Sequence, residues 1–338
     1  MAIAHVPGLE EEVIAPEPRA RYQLLRRARR LYIVARLLHS AGTYVRYHFG
    51  RIDSKSGTLH AGLPTLDSVK YINEVVEDYK TYGRFQEVTG KVAEVGPGDN
   101  AGVALMLRAL GASEVDLVDR FYARRNETHQ AAIYQALMDS HPRIAEMLQG
   151  SSLQDERTFP GLYRWYGPEA AAERFFRDHR GYALIVSRAV LEHCADPLGA
   201  LRDMSEALAP GGVMLHKVDL RDHSLFSPPH SELEWLTTPK IIHRWMTESG
   251  GLPNRVLFHR YANFIEKMVY PHEILVTAMA GSGELLPHQH PESISTECMA
   301  RGTQEVGKVR SRLAREFRNC TDFELSVTGV FIVARKPL

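Results

Sequence analysis

In this chain of 338 residues, 41 Lys and Arg balance 41 Asp and Glu, so the basic face that nucleic-acid ligands call for is not apparent. The length can bury a sizeable core, and no apolar run approaches that of a bilayer span. Cys194, Cys298 and Cys320 stand far apart without a C-x-x-C pair and read as free thiols of a reducing compartment.

Residues 1–18 carry Pro7, Pro16 and Pro18 and little apolar content, and read as a flexible tail. With Glu10, Glu11 and Glu12 close behind Met1, the start lacks the pattern of a secretion signal, and the expected location is cytoplasmic. From Arg21 to Leu38, Leu24, Ala28, Leu31, Ala35 and Leu38 fall on one helical stripe, with Arg26, Arg27, Arg29, Arg30 and Arg36 over much of the rest. The expectation adopted is a helix that packs its stripe on the domain. The alternative for helix 21–38 is contact with an anionic membrane surface. A second helix, Ser68 to Tyr82, carries Val69, Ile72, Val76 and Tyr79 on one face, with Asp67 as N-cap and Gly83 as stop. Residues 19–90 thus form a helical region, expected to act as a lid.

Lys91 to Val95 reads as a buried strand that ends in Glu94-Val95 and runs into the turn Gly96-Pro97-Gly98-Asp99-Asn100. Helix 102–111 and strand 114–118, ending at Asp119, complete a β-α-β unit. Gly96, Gly98 and Ala101 satisfy a loose dinucleotide fingerprint. Glu94, two positions before the first glycine, would repel the pyrophosphate that such a turn otherwise holds with amides and a helix N-terminus. A sulfonium cofactor with an amino-acid tail presents cationic groups there instead.

The pattern continues with helix 126–139, strand 162–166, helix 169–178, strand 182–187, helix 197–208 and strand 212–219. Such alternation gives a mostly parallel sheet with helices on both faces. A helical insertion then spans about 224–258, in which Thr238-Pro239 opens a helix and Gly250-Gly251 ends it. Helix 261–268, strand 273–277, a long helix 306–318 and a last strand 325–334 follow. Pro287-His288-Gln289-His290-Pro291 has no Cys or acid at ligand spacing and reads as an exposed loop.

Glu94-Val95-Gly96-Pro97-Gly98 resembles the acid-x-G-x-G motif of the class I S-adenosylmethionine-dependent methyltransferases. Val190-Leu191-Glu192-His193-Cys194-Ala195-Asp196-Pro197 resembles their V-L-E-H-x-x-D-P turn, and Ala209-Pro210-Gly211-Gly212 the turn into their fifth strand. These pieces cover about residues 91–220 in the family's order. The chain departs from the pattern at Asn100, where a third glycine is common. It departs again at Pro168-Glu169, where an aspartate near the adenine amine is usual, so no adenine-amine ligand is carried over.

The resemblance implies an α/β Rossmann-like sheet of seven strands in a domain spanning 91–338, its last two strands forming a hairpin-like edge. It also implies S-adenosyl-L-methionine as cofactor. Glu94, Gly96 and Gly98 would lie about the methionyl part, Asp119 on the ribose, Arg120 and Phe121 beside the adenosine, and Asp99 is a further cofactor contact. Ser187, Arg188 and Tyr71 are added as cofactor contacts, Tyr71 because its helix carries Tyr71, Tyr79 and Tyr82 towards the loop.

The expected acceptor is an oxygen or nitrogen of a small molecule such as a sugar, a glycan or a natural-product intermediate. A proton acceptor would come from the strand ends, where His193 ranks first, His223 second and Asp219 third. His230, Glu232 and Trp235 are substrate contacts or lid packing. No metal is assigned, although Asp219, Asp222 and His223 could hold one. Two other readings stay open: a nicotinamide-dependent oxidoreductase, against which Glu94 counts, and a non-catalytic cofactor-binding protein.

Overall fold

Runs of residues buried on both faces, such as Tyr182-Ala183-Leu184-Ile185-Val186, make parallel strands in the interior of a covered sheet. The computed structural model describes residues 28–49, 53–54, 57–247 and 252–338. The expected tail, the start of the first helix and the Gly250-Gly251 stop lie outside the described residues.

The strands of the main sheet are β1 (Gly90–Val95), β2 (Ala112–Asp119), β3 (Leu162–Tyr166), β4 (Tyr182–Arg188), β5 (Leu208–Asp219), β6 (His272–Met279), β7 (Gly283–Gln289) and β8 (Val327–Arg335), and Asp53–Ser54 and Tyr122–Ala123 form a separate parallel pair. They form one sheet in the order β3-β2-β1-β4-β5-β8-β6-β7. The first five pair in parallel. β8 runs antiparallel between β5 and β6, and β7 pairs antiparallel with β6 at the edge. The sheet has eight strands rather than seven, and the last strand is internal rather than at the edge. The added strand, β7, includes Pro287, His288 and Gln289, so that segment is not an exposed loop. His288 is buried and stacks on Tyr82 with ring centroids 4.6 Å apart.

Besides the single turn Leu59–Gly62, the helices are α1 (Arg29–His48), α2 (Thr65–Gly83), α3 (Gly102–Ala109), α4 (Glu127–Ser140), α5 (Pro142–Met147), α6 (Ala172–Asp178), α7 (Pro197–Ala207), α8 (Lys240–Thr247), α9 (Phe258–Lys267), α10 (Thr296–Gly307) and α11 (Asp322–Ser326). Strand side chains alternate between faces. Val92, Leu117, Val186, Leu215 and Phe331 pack with α2, α3, α4 and α5 on one side. Ala93, Val95, Ile185, Met214 and Ile332 pack with α6, α7 and α9 on the other. A third apolar cluster joins Tyr32 of α1 and Phe226, Trp235 and Met246 of the 220–258 region to Val306, Leu313 and Phe317.

Three helices differ from expectation. α2 starts at Thr65 with Pro64 as its cap, leaving Asp67 in the first turn, where its charge suits the helix dipole. The long helix 306–318 is replaced by α10, capped by the Ser295 side chain and ending at Gly307, and by two single 3-10 turns. α1 does not bury the stripe expected to pack. Tyr32 and Ser40 are buried, whereas Leu31 and Leu38 are 62% and 71% exposed. Arg29 orients the packed side by donating to Thr237 Oγ1 at 2.7 Å and Thr238 Oγ1 at 3.0 Å.

Candidate functional site

The turn after β1 has no room for side chains. Gly96 (φ 74°) and Gly98 (φ 62°) occupy the left-handed region that favours glycine. A Cβ on Gly96 would come 2.2 Å from a Val190 methyl, and one on Gly98 would come 2.6 Å from the Gly57 carbonyl oxygen. Neighbouring elements hold the turn open. Arg164 donates to the Gly98 carbonyl at 3.1 Å, and Ala101 N–H donates to the Tyr134 hydroxyl at 3.0 Å. Tyr134, Arg125 and Arg164 all converge on the carboxylate of Glu156. Asn100 takes the third-glycine position because its side chain is used locally. Its Oδ1 accepts from Gly102 N–H at 2.6 Å while its amide donates to Gln130.

Glu94 lies at the end of β1, buried, with Oε2 lacking a hydrogen-bond partner. Burial pushes its pKa up to about 8, against the pull of Arg164. A buried carboxylate with one oxygen left unpartnered, beside a turn stripped of side chains, suits a ligand that brings its own cationic group. Asp119 ends β2 on the same sheet face. One of its oxygens accepts from Phe121 N–H at 2.9 Å, and burial raises its pKa to about 6 despite that bond and Arg164 nearby. Arg120 lies over the Phe121 ring, 5.5 Å from its centroid.

Arg188 and Tyr71 come together beneath α2. Arg188 donates to Asp78 Oδ2 at 2.7 Å and lies 5.5 Å from the Tyr71 ring centroid. Tyr79 is core, and Tyr82 packs on His288 and Phe331.

Two assigned cofactor contacts face elsewhere. The Asp99 carboxylate is fully buried and accepts from Ala61 N–H at 2.9 Å, His60 N–H at 3.2 Å and Gln130 at 3.3 Å. It fastens the 57–63 segment over the glycine turn instead of facing the crevice. Ser187 points to the opposite sheet face, where its Oγ lies 2.8 Å from His216 Nδ1. Adjacent strand residues alternate, so the side chains of Ser187 and Arg188 cannot both face α2.

The second half of the site follows β4 and β5. Beyond Arg188 the chain turns sharply at Ala189 (φ 54°) into the single turn Leu191–His193. Beyond β5 it turns at His223 (φ 48°) and Ser224 (φ 59°). Left-handed backbone outside glycine is costly and marks positions that the surrounding structure over-determines. These turns set His193 and His223 with ring centroids 5.0 Å apart. His223 Nε2 lies 3.4 Å from Asp219 Oδ2 and 4.0 Å from Glu192 Oε1.

The two carboxyls of the cluster differ in their surroundings. Burial would raise the pKa of Asp219, but His223 and the two-pronged grip of Arg221, at 2.7 to 3.0 Å, hold it well below the usual carboxylate range. Asp219 is therefore held in its ionised form. Glu192, 1% exposed and with neither carboxyl oxygen hydrogen-bonded, is pushed well upward by burial and by Asp219. Donor atoms of Glu192, His193 and His223 lie within 4.8 Å of one another, a carboxylate and imidazole set that could also grip a divalent cation. Asp222 does not join them. It accepts from the N–H groups of Ser224, Phe226 and Ser227 at 2.8 to 2.9 Å, which removes the Asp219–Asp222–His223 metal arrangement.

Sequence reasoning did not single out several residues that hold the site. Asn254 donates to the carbonyls of Leu191 at 2.8 Å and Cys194 at 3.0 Å, pinning the turn that carries Glu192. Asp78 anchors Arg188, and Glu156 anchors Arg164. Asn254 and Asp78 have no local signature, because Leu191, Cys194 and Arg188 lie far along the chain from them; Glu156 meets Arg164 eight residues on, across the start of a strand. Of the insertion residues, Trp235 is core and Glu232 accepts from Gly281 N–H at 2.7 Å.

No curated protein matches the chain. Among solved structures it is similar to phosphoethanolamine N-methyltransferase 2 of Haemonchus contortus, at 13% identity and a TM-score of 0.40, over 79% of this chain and 53% of that one. The chain thus spans about half the length of the nematode enzyme. It is likewise similar to an S-adenosylmethionine-dependent methyltransferase of Mesorhizobium loti, at 13% identity and a TM-score of 0.40, over 78% of this chain and all of that one. The family model described as a methyltransferase domain matches residues 70–266. That match covers more than half of the chain, which therefore belongs to the methyltransferase domain family, the class I enzymes whose methyl donor is S-adenosyl-L-methionine.

Proposed function

We propose that the protein moves a methyl group from S-adenosyl-L-methionine to an oxygen or nitrogen of a small-molecule acceptor, with His223 as the proton acceptor. The observation that carries the assignment of the base is the short approach of His223 Nε2 to the ionised Asp219. The bound donor supplies an electrophilic methyl on a sulfonium. Glu94, once ionised, pairs with the cationic amino-acid tail, Gly96 and Gly98 let it approach the backbone, and Asp119 accepts from ribose hydroxyls. Arg188 and Tyr71 close that side under α2.

On the acceptor side, His223 takes the proton at Nδ1 while Asp219 stabilises the imidazolium through Nε2. Arg221 keeps Asp219 ionised and fixed, and neutral Glu192 adds no competing charge. Such a base contributes about 10²- to 10⁴-fold. Alignment of nucleophile and methyl can supply roughly 7–11 kcal/mol more. His223 stands ahead of His193 on the approach of its Nε2 to within 3.4 Å of Asp219 Oδ2.

The test incubates the purified protein with methyl-labelled donor and pooled alcohols, phenols and amines. Label transfer lost in His223→Ala, with donor-product binding kept and no effect of a chelator, supports the base. Loss on chelation assigns the Glu192–His193–His223 set to a cation instead. Donor binding without transfer to any pool would leave a binding protein and refute the enzyme reading.

A further inference from the structure

Among the described residues, α1 shows solvent an apolar stripe. Leu31, Val34, Leu38 and Val45 recur at helical spacing on the side away from buried Tyr32 and Ser40, and Phe49 continues the stripe. All five are more than half exposed, Phe49 at 79%. α8 packs beside α1 and repeats the pattern, burying His243 and Met246 and exposing Ile241 and Trp245, one turn apart. Neither helix contains an acidic residue. Arg30 and Arg46 on α1 and Lys240 and Arg244 on α8 are exposed around the apolar side chains.

We propose that α1 and α8 form a peripheral attachment surface for an anionic lipid bilayer. No described helix is long and apolar enough to cross a membrane, so the attachment is interfacial. Exposed Trp, Phe and Leu side chains enter the headgroup and acyl boundary, where Trp in particular is favoured. The surrounding bases complement anionic headgroups, each strengthening binding about fivefold. A second copy of the chain is a poorer occupant. Two-fold pairing of this face would set Arg and Lys against their own copies, with no acid on either helix to compensate.

The test is flotation of the full chain with vesicles of phosphatidylcholine alone and with about 30 mol% phosphatidylserine added. Binding to the anionic vesicles should exceed binding to neutral ones by about tenfold or more and fall steeply at high salt. Leu38→Ser combined with Trp245→Ser should weaken it at least about tenfold. Both side chains are exposed, so thermal unfolding and S-adenosylhomocysteine binding should not move. The charge-reversed Lys240→Glu, Arg244→Glu variant should lose the preference for phosphatidylserine. Absence of vesicle binding by the wild type overturns the proposal. So does a dimer in analytical ultracentrifugation that these substitutions dissociate while vesicle binding persists.

Discussion

Removing the charge of Glu94 tests the cofactor half of the site without disturbing its shape. Glu94→Gln keeps the volume and the hydrogen-bonding reach of the side chain. In the ligand-free protein, burial places the wild-type pKa at about 8, so at neutral pH the folded state holds a proton that the unfolded chain has released. The sign follows: folded-state proton excess makes stability fall as pH rises from the ordinary carboxylate range to about 8. The slope approaches about 1.4 kcal/mol per pH unit at its steepest. A cationic ligand reverses the balance, because only ionised Glu94 attracts it. Calorimetric affinity for S-adenosylhomocysteine, whose amino-acid tail carries the ammonium, should therefore rise with pH by up to about tenfold per unit and flatten above pH 8.

In Glu94→Gln the rise between pH 6.5 and 8 should vanish, and at high pH affinity should be about 10- to 150-fold weaker, the worth of one charged hydrogen bond. Near about pH 6 variant and wild type should converge. The ligand-free variant should be the more stable of the two at high pH. A wild-type affinity flat across this range, or a slope that survives in the variant, would refute the pairing of Glu94 with the donor's ammonium.

Four further changes probe the rest of the site. His223→Ala should lower turnover about 10²- to 10⁴-fold with little change in S-adenosylhomocysteine affinity, measured by single-turnover kinetics and calorimetry. Asp219→Asn should lower turnover with little change in S-adenosylhomocysteine affinity, because the imidazolium loses its anionic partner; unchanged turnover would assign the base elsewhere. Asn254→Ala should cost about 1–3 kcal/mol in denaturant unfolding by stripping two carbonyls of their donor. Gly98→Ala should destabilise by about 1–2 kcal/mol from left-handed backbone alone. The Cβ contact with Gly57 adds to that cost and should also weaken donor-product binding in calorimetry.

The sheet was legible because parallel strands buried on both faces leave continuous apolar runs, and because Glu94 and its glycines sit where such a strand must stop. The β7 edge was hidden by Pro287, a residue that an edge strand tolerates and a central one does not. The α1 stripe showed its helical period but not its direction. Period alone does not say which side meets the domain, and here Tyr32, Arg29 and Ser40 make that contact. Ser187 could have been set aside from strand parity with Arg188. Asp99 could not, because its partners His60 and Ala61 belong to a segment joined to the turn only by tertiary structure.

Glu192 was visible in the sequence as part of a motif, but its chemical state depends on a competition the sequence does not display. Two carboxyls share the end of the crevice, and the Arg221 guanidinium grips one of them. Arg221 lies two residues from Asp219 and reaches both of its oxygens, so Asp219 keeps the charge. Glu192, left without a hydrogen bond to either oxygen, is the carboxyl that burial and Asp219 push toward its protonated form. Like charges this close do not both ionise in a buried site, and the local cation decides which one does. His223 stands between them, nearer the anion. Glu192→Gln should consequently change turnover far less than Asp219→Asn if the cluster works as a base, since a neutral carboxyl is replaced by a neutral amide. If the cluster holds a cation, Glu192 must ionise to serve as a ligand, and Glu192→Gln should be the more damaging of the two. The order of the two variants in turnover separates these states without knowledge of where the proton sits.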